Sequence, residues 1–439
     1  MQHPAIREAV VIVQERGNEK RLIAYLVAKE AGLPAAAGLR ASLKATLPDY
    51  MIPAAFVALD ALPLTANGKI DRLALPPPTW EQTPLEAAAL PTDELTSQLA
   101  ALWAETLQIP SIGVHDNFFD LGGHSLLAVR LFAHIERQMG YKLPLALLFQ
   151  APTVAEQAQY LRANASAIPW SALVPIRSQG SRPPLYCVHA LGGNVLTYRA
   201  LAQALNAEQP VYGLQSPATL HGELPFYSVE EMAAHYLTEV RRLQPAGPYH
   251  LCGLSYGGIV AFEMARQLQA TGDRTALLAV FDMTAPGHQQ PGRFRRLSGH
   301  LRYYRALDAA ARRPYLTDRL QKWNSRLPRK PLRPTASAAS QESALSDTLE
   351  DAARLHRHTW RTYRPPIGDY LGSLLLFRAT RTVPFYFDSP TLGWENYIGG
   401  SVDVHNVPGD HLSIMEEPHI QEIADRLQAQ LQKMDLHRG

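Results

Sequence analysis

The sequence predicts a multidomain protein whose largest part is an α/β fold built on a parallel sheet. Three observations carry this. At 439 residues the chain is too long for one typical domain and suits about three. A proline- and alanine-rich stretch, Leu75-Pro76-Pro77-Pro78 through Pro91, and a second linker from Asn164 to Pro184 cut it into pieces. In the last piece Gly253-Leu254-Ser255-Tyr256-Gly257-Gly258 lies between the apolar run Tyr249 to Cys252 and the helix-like segment Ile259 to Ala265. A G-x-S-x-G at a strand-to-helix junction holds its serine on a sharp turn, with Oγ exposed at the top of the sheet.

The first piece, residues 1–76, is read from two segments. They are Leu47-Pro48-Asp49-Tyr50-Met51-Ile52-Pro53 and Leu62-Pro63-Leu64-Thr65-Ala66-Asn67-Gly68-Lys69-Ile70-Asp71-Arg72. On pattern alone Asn67-Gly68 is a hairpin turn. Together the segments resemble the small α+β C-terminal subdomain of nonribosomal peptide synthetase adenylation domains. The resemblance implies that Lys69 is the lysine which, in that family, contacts the acyl carboxylate and nucleotide during activation. The large ATP-binding core and its hinge motif are absent, and the chain begins at His3-Pro4-Ala5-Ile6, already inside the subdomain. Lys69 thus has no active site to complete, and no adenylation is expected from this chain alone. A fragment, or one piece of a split or interrupted synthetase, is expected.

After the linker at 77–92, the second piece covers 93–163. Thr92-Asp93-Glu94 is a good helix start, and a last helix follows Pro152-Thr153-Val154-Ala155-Glu156. Between them, Asp116-Asn117-Phe118-Phe119-Asp120-Leu121-Gly122-Gly123-His124-Ser125-Leu126 precedes an amphipathic helix, Leu127 to Met139. Apolar Leu126, Val129, Leu131, Phe132 and Ile135 recur at helical spacing. Ser125 therefore stands at a helix N-terminus, where N–H groups and the dipole favour an anion; by chemistry alone it could be only an N-cap. The segment resembles, residue for residue, the attachment signature of a peptidyl carrier protein, a four-helix bundle. The resemblance implies covalent 4′-phosphopantetheine on Ser125, with the acyl group carried on its thiol.

The third piece, 184–439, contains the G-x-S-x-G turn and reads as an α/β-hydrolase with Ser255 as nucleophile. Its partners should follow in the order acid, then histidine. Asp282 ends the next apolar run, Ala276 to Phe281, on the rim where such sheets build their sites. Asp388, beyond the later strand Ser373 to Phe377, is the rival; Asp282 is preferred because it caps the strand next after the elbow. His411 lies in a loop between the strand-like run Ser401 to Val407 and a C-terminal helix from about Glu417. It is preferred over His405, inside the strand pattern, and His419, at the helix start. The oxyanion donors should be the N–H of Tyr256, directly after the nucleophile, and that of Leu191. Leu191 lies in Ala190-Leu191-Gly192-Gly193, after the strand Leu185 to His189. His189 is read as a structural loop histidine.

The three pieces come in the order of a termination module, and the hydrolase resembles a type I thioesterase. Ser255, Asp282 and His411 match that family's nucleophile, acid and base. One departure is His189-Ala190-Leu191, where many relatives have proline second and a small residue third, so substrate shape is what the leucine affects. The resemblance implies release of a thioester from the Ser125 arm through an acyl-Ser255, with water giving an acid or an internal nucleophile a cycle. The alternatives are an inactive carrier scaffold and a general serine esterase fused to a carrier. Gly287 to Pro366 breaks the strand–helix alternation and is read as a helical lid insertion. Its Arg293, Arg295, Arg296, Arg302, Arg305, Arg312 and Arg313 form either a solvated face or a dock for the carrier or its phosphate. Ala336 to Ser346 is read as a connector.

Composition agrees. A net charge of +2 gives no strong pull toward nucleic acid or membrane surfaces. No apolar run is long enough to span a bilayer, and no signal peptide opens the sequence. Two cysteines, Cys187 and Cys252, fall in strand-like runs and read as small core residues, with no disulfide framework and no metal-ligand spacing. A cytoplasmic protein is expected. Its expected partners are upstream synthetase modules or an adenylation core, a phosphopantetheinyl transferase, and an acyl or peptidyl thioester.

Overall fold

The computed structural model describes residues 5–16, 19–29, 39, 42–43, 53, 55–65, 70–72, 74–76, 91, 93–164, 170–218, 228–287, 343–381 and 389–436. They form two compact units, Met1–His124 with Ala151–Arg162, and Ser125–Gln150 with Ala163–Gly439.

The first unit holds a three-stranded sheet of β1 (Ile6–Arg16), β2 (Glu19–Ala28) and β3 (Ala55–Leu59), with β2 central. β1 runs antiparallel to β2, with Val10 opposite Tyr25, and β3 runs parallel to β2, with Val57 beside Tyr25. Ile23 to Val27 are all buried, as expected of a strand covered on both faces. Val10, Ile23, Tyr25, Val27, Leu62 and Leu75 pack on one side, and Ala24, Leu26 and Leu39 on the other. Leu64 and Ile70 form an antiparallel bridge around the expected Asn67-Gly68 turn. The turn itself and Lys69 lie outside the described residues.

The same unit contains α1 (Glu94–Leu107) and most of α4 (Val154–Ala163). Asp93 caps α1 by accepting the Thr96 N–H at 3.1 Å, a bond whose loss costs about 1 kcal/mol. Thr153 and Glu156 form a reciprocal capping box on α4: Thr153 N–H donates to Glu156 Oε2 at 3.0 Å and Glu156 N–H to Thr153 Oγ1 at 3.2 Å. Between the two helices, buried Trp103 donates its indole N–H to Gln157 Oε1 at 3.0 Å and meets the Phe118 ring edge-on at 5.3 Å.

The second unit begins with α2 (Ser125–Met139) and α3 (Leu147–Gln150). α2 starts at Ser125 rather than Leu127, and Ala128, Leu131, Phe132 and Ile135 form its buried stripe. A seven-stranded sheet follows, in the order β10-β9-β8-β7-β5-β6-β4. The strands are β4 (Leu173–Arg177), β5 (Leu185–Val188), β6 (Val211–Leu214), β7 (Tyr249–Leu254), β8 (Thr275–Phe281), β9 (Leu374–Ala379) and β10 (Val402–Val407). All neighbours pair in parallel except β4 with β6.

Parallel strands need crossovers, and the crossover helices cover both faces. α6 (Val229–Leu243) and α7 (Tyr256–Ala270) share one apolar core with Tyr186, Leu251 and Val280. α5 (Arg199–Ala204) and α9 (His419–Leu436) share the other with Cys187, Cys252 and Phe281. The two cysteines are register neighbours on β5 and β7, fully buried free thiols, with the Cys252 thiol donating to Cys187 Sγ at 3.2 Å.

The proposed lid insertion is described only over its last part, α8 (Ser343–Thr362). The expected connector Ala336 to Ser346 therefore gives way to helix at Ser343. Residues 288–342, with all seven lid arginines named above, lie outside the described residues. Among the described residues no helix is long and apolar enough to cross a membrane.

Candidate active site

β7 delivers Ser255 to the sheet rim. All six of its residues are buried, and the chain turns into α7 at Ser255 with φ 54° and ψ −126°. That left-handed conformation costs a non-glycine residue energy, so it persists only where the surroundings fix it. Here Ser255 N–H donates to Phe281 O and Gly258 N–H to Ser255 O, both at 2.9 Å. Buried Tyr198 adds a bridge: its hydroxyl donates to Val188 O at 2.5 Å and accepts from Leu254 N–H at 2.8 Å. The elbow's glycines are forced by space. A Cβ on Gly253 would lie 2.1 Å from the Gly257 carbonyl carbon, and one on Gly257 would lie 2.3 Å from Val188 O.

Asp282 follows β8 immediately, and it too has a positive φ, 48°. Its side chain is 1% exposed. Two bonds compensate a buried carboxylate there: Oδ1 accepts Ala379 N–H at 2.9 Å, and Oδ2 accepts from His411 Nδ1 at 2.8 Å. Since a carboxylate only accepts, His411 carries its proton on Nδ1, and its Nε2 lone pair is the one that can take a proton.

The loop holding His411 is built by its predecessor. Asp410 Oδ1 accepts the N–H groups of Leu412 and Ser413, both at 3.1 Å, while Asp410 N–H donates to Ser413 Oγ at 2.8 Å. The bond from Ser413 N–H, foremost, holds the Asp410 carboxyl below the usual aspartate range. Gly409, with φ 109°, supplies the bend before it.

His405 sits in β10 beside Asp403, Nε2 to Oδ2 at 3.1 Å, and His419 opens α9; neither is joined to Asp282 by a described bond. Asp388 lies outside the described residues.

The expected oxyanion residues occupy the two turns flanking this rim. Tyr256 is the first residue of α7, so its N–H belongs to the group that has no intrahelical partner. Leu191 opens the turn after β5, closed by Gly193 N–H to Ala190 O at 2.9 Å and anchored by Ser216 N–H to Gly193 O at 2.8 Å. His189, fully buried, places Nδ1 2.7 Å from Ala190 O and Nε2 2.8 Å from the Tyr236 hydroxyl. Burial pushes its pKa well below the ordinary histidine value, so the ring is neutral.

Sequence reasoning missed the contribution of α8. Buried His356 places Nδ1 2.7 Å from Leu191 O, and its ring stacks on Tyr256 with centroids 5.1 Å apart. Thr359 Oγ1 pairs with the Tyr256 hydroxyl at 2.8 Å, and the Tyr363 hydroxyl donates to Glu263 Oε2 on α7 at 2.5 Å. The available signal was spacing: Ala352, His356, Thr359 and Tyr363 fall on one helical face, and all four are buried.

Ser125 is a contrasting site. It is exposed at the first position of α2. In the preceding loop, Phe119 N–H donates to Asn117 Oδ1 at 3.0 Å and Gly123 N–H to Phe118 O at 2.9 Å. A Cβ on Gly123 would overlap the Phe118 ring at 2.4 Å, whereas Gly122, φ 91°, faces open space. An exposed hydroxyl at a helix N-terminus fits covalent attachment of a phosphate-linked arm.

Three family models match successive parts of the chain. Residues 183–431 match the thioesterase domain family, 97–161 the phosphopantetheine attachment site family, and 1–69 the C-terminal domain of AMP-binding enzymes. The first match covers more than half of the chain, and the chain belongs to the thioesterase domain family. In front of that domain it carries a carrier segment for covalently attached 4′-phosphopantetheine. It is 37% identical over 446 residues to malpibaldin synthetase of Mortierella alpina, covering 97% of this chain and 7% of that protein. It is 35% identical over 447 residues to a dimodular nonribosomal peptide synthase of Bacillus subtilis (strain 168), covering 99% and 18%. Among solved structures it is similar to holo-AB3403, a four-domain nonribosomal peptide synthetase bound to AMP and glycine. That likeness has 30% identity, TM-score 0.48, and covers 98% of this chain and 32% of that one. The chain thus spans less than a fifth of the length of these curated relatives.

Proposed function

We propose that this chain is the terminal section of a nonribosomal peptide synthetase. It receives an acyl or peptidyl group on Ser125 and releases it through an acyl-enzyme on Ser255. The observation that carries the reading is the 2.8 Å contact between Asp282 Oδ2 and His411 Nδ1, made across 129 residues on the rim that presents Ser255.

Attached to Ser125, 4′-phosphopantetheine supplies a terminal thiol that carries the acyl group as a thioester. His411 Nε2 takes the Ser255 proton as Oγ attacks the thioester carbonyl, and Asp282 stabilises the imidazolium. The Leu191 and Tyr256 N–H groups stabilise the developing oxyanion. His411 then returns the proton to the departing thiolate, leaving the acyl group on Ser255. In the second half His411 deprotonates the attacking nucleophile and Ser255 Oγ leaves with that proton. Water gives a free acid, and an amine or hydroxyl of the acyl chain gives a cycle; hydrolysis is the default where water reaches the site.

Upstream modules or an adenylation core would supply the acyl group, with Lys69 completing the core's active site. A phosphopantetheinyl transferase would modify Ser125. The cytoplasm, where the Cys187 and Cys252 thiols stay reduced, suits this chemistry.

Intact-protein mass spectrometry tests the reading. Ser125 is loaded with a model acyl-pantetheine in the wild type and in Ser255→Ala. The wild type should return to the unacylated holo mass while the variant keeps its acyl group. Equal loss from both proteins would overturn the proposal.

A further inference from the structure

We infer that His356, together with His189, is a positioning residue that sets the peptide planes of the oxyanion loop, so that the geometry of the hole depends on a contact from α8. The inference rests on the reading of Leu191 N–H as an oxyanion donor.

The Leu191 N–H and the Ala190 carbonyl belong to one peptide group, which is planar and trans, so the two point in opposite directions. Fixing the carbonyl therefore aims the N–H. His189 Nδ1 lies 2.7 Å from that carbonyl, and Gly193 N–H donates to it at 2.9 Å. A carbonyl only accepts, so His189 is protonated on Nδ1; the neutral ring then accepts the Tyr236 hydroxyl proton at Nε2, 2.8 Å away. Donation to the carbonyl also polarises the amide and strengthens its N–H as a donor.

The next peptide is held in the same way from another element. Its carbonyl, Leu191 O, accepts from His356 Nδ1 at 2.7 Å, across 165 residues of chain. By the same reasoning His356 Nε2 accepts from Ser216 Oγ, 3.1 Å away. With both flanking planes held, the backbone torsions of Leu191 are fixed from two sides. Burial depresses the pKa of each ring, that of His356 to about 4, so both keep a single Nδ1–H form at neutral pH.

The same helix also holds the side chain of Tyr256, the residue whose backbone N–H is the second donor. Thr359 bonds the Tyr256 hydroxyl at 2.8 Å, one residue-face above the stacked His356 ring. The Tyr363 hydroxyl fastens the C-terminal end of α8 to Glu263, which also pairs with Arg266 at 2.7 Å. A histidine serving only to fill space would not need an acceptor in this loop and a donor in Ser216 at once.

The test uses the full chain and a soluble acyl thioester, with active sites counted by end-point fluorophosphonate labelling and turnover expressed per labelled site. His356→Leu should lower kcat by about tenfold to a hundredfold, less than outright loss of an oxyanion donor, with KM within about twofold. His356→Asn, whose amide can donate to Leu191 O, should recover to within about threefold of wild type. Should the leucine variant not fold, Ser216→Ala keeps the ring and frees its tautomer. It should then lower kcat about threefold to tenfold at unchanged KM. Unchanged kcat per labelled site in His356→Leu, or in Ser216→Ala where that variant must serve, would overturn the inference. Wild-type turnover that survives Ser255→Ala would instead overturn the reading of the site beneath it.

Discussion

Two serines open helices in this chain, and their surroundings could hardly differ more. Ser125 begins α2 fully in reach of solvent, behind a loop whose Gly122 faces open space. Ser255 precedes α7 in a left-handed conformation, 7% exposed, between Gly253 and Gly257, at each of which an added Cβ would run into backbone. Both stand where a helix dipole favours negative charge. What separates them is how closely each is enclosed. A hydroxyl that is to be modified by another enzyme, as proposed for Ser125, gains from exposure. A hydroxyl that attacks a carbonyl must be held to a fraction of an ångström, and strain fixed by packing provides that.

Single substitutions should separate the two roles with the largest effects. Ser125→Ala should gain no mass from a phosphopantetheinyl transferase. Ser255→Ala should gain it and then fail to discharge, with release slowed on the order of 10⁴-fold or more. Asp282→Asn follows closely, because an amide in place of Oδ2 favours the wrong His411 tautomer. A loss of about 10³–10⁴ in kcat is expected, measured on a soluble thioester. A loss below tenfold would remove Asp282 from the acid role.

The glycines beside the serines sharpen the contrast. Gly257→Ala places a methyl 2.3 Å from the Val188 carbonyl oxygen, which is backbone and cannot swing away. Destabilisation of about 2–4 kcal/mol is expected in denaturant unfolding, with loss of fluorophosphonate labelling. Gly122→Ala meets nothing within 4 Å and suffers only its positive φ, about 1 kcal/mol. Equal costs at the two positions would mean that the elbow tolerates a methyl at Gly257 as readily as the other loop does at Gly122.

The same contrast explains what could be read from sequence. Ser255 and the strand before it were legible because the elbow is a local device: strand, turn and helix are contiguous, and Gly253 is dictated by the Gly257 backbone four residues on, although Gly257 is dictated by Val188 and His189 at the end of the neighbouring strand. The loop before Ser125 is likewise contiguous. The placing of Asp282 directly after a strand and of His405 within one followed from apolar runs, although the positive φ at Asp282 did not, since nothing local demands it. Tyr198 and α8 were illegible for a different reason. Tyr198, which also bonds Val188, reaches Leu254 across 56 residues, and His356 reaches Leu191 across 165. Within α8, polar His356 and Thr359 look like a solvent face unless their acceptors are known. The start of α2 was misplaced by two residues because Ser125 adopts the first helical turn rather than standing before it.

Acid pH offers a finer probe of the enclosed side. His356 is buried and neutral, with its pKa pushed down by burial to about 4 from an ordinary 6.5, and neighbouring His189 is shifted in the same direction. Below pH 6.5 the unfolded chain binds a proton at this position while the native chain does not until about pH 4. Stability therefore rises with pH across that window and falls as pH drops through it. From pH 7 to pH 5 the His356 contribution alone amounts to about 2 kcal/mol, seen as a lower unfolding midpoint. Carboxylates titrate over the same range, so the informative quantity is a difference between proteins. His356→Asn cannot bind the proton, and its midpoint should fall less steeply than that of the wild type over this interval. Parallel slopes would mean that the imidazole protonates as readily in the native protein as in the unfolded chain. In that case its link to Leu191 is open to water, and the enclosure found around the nucleophile does not extend to α8.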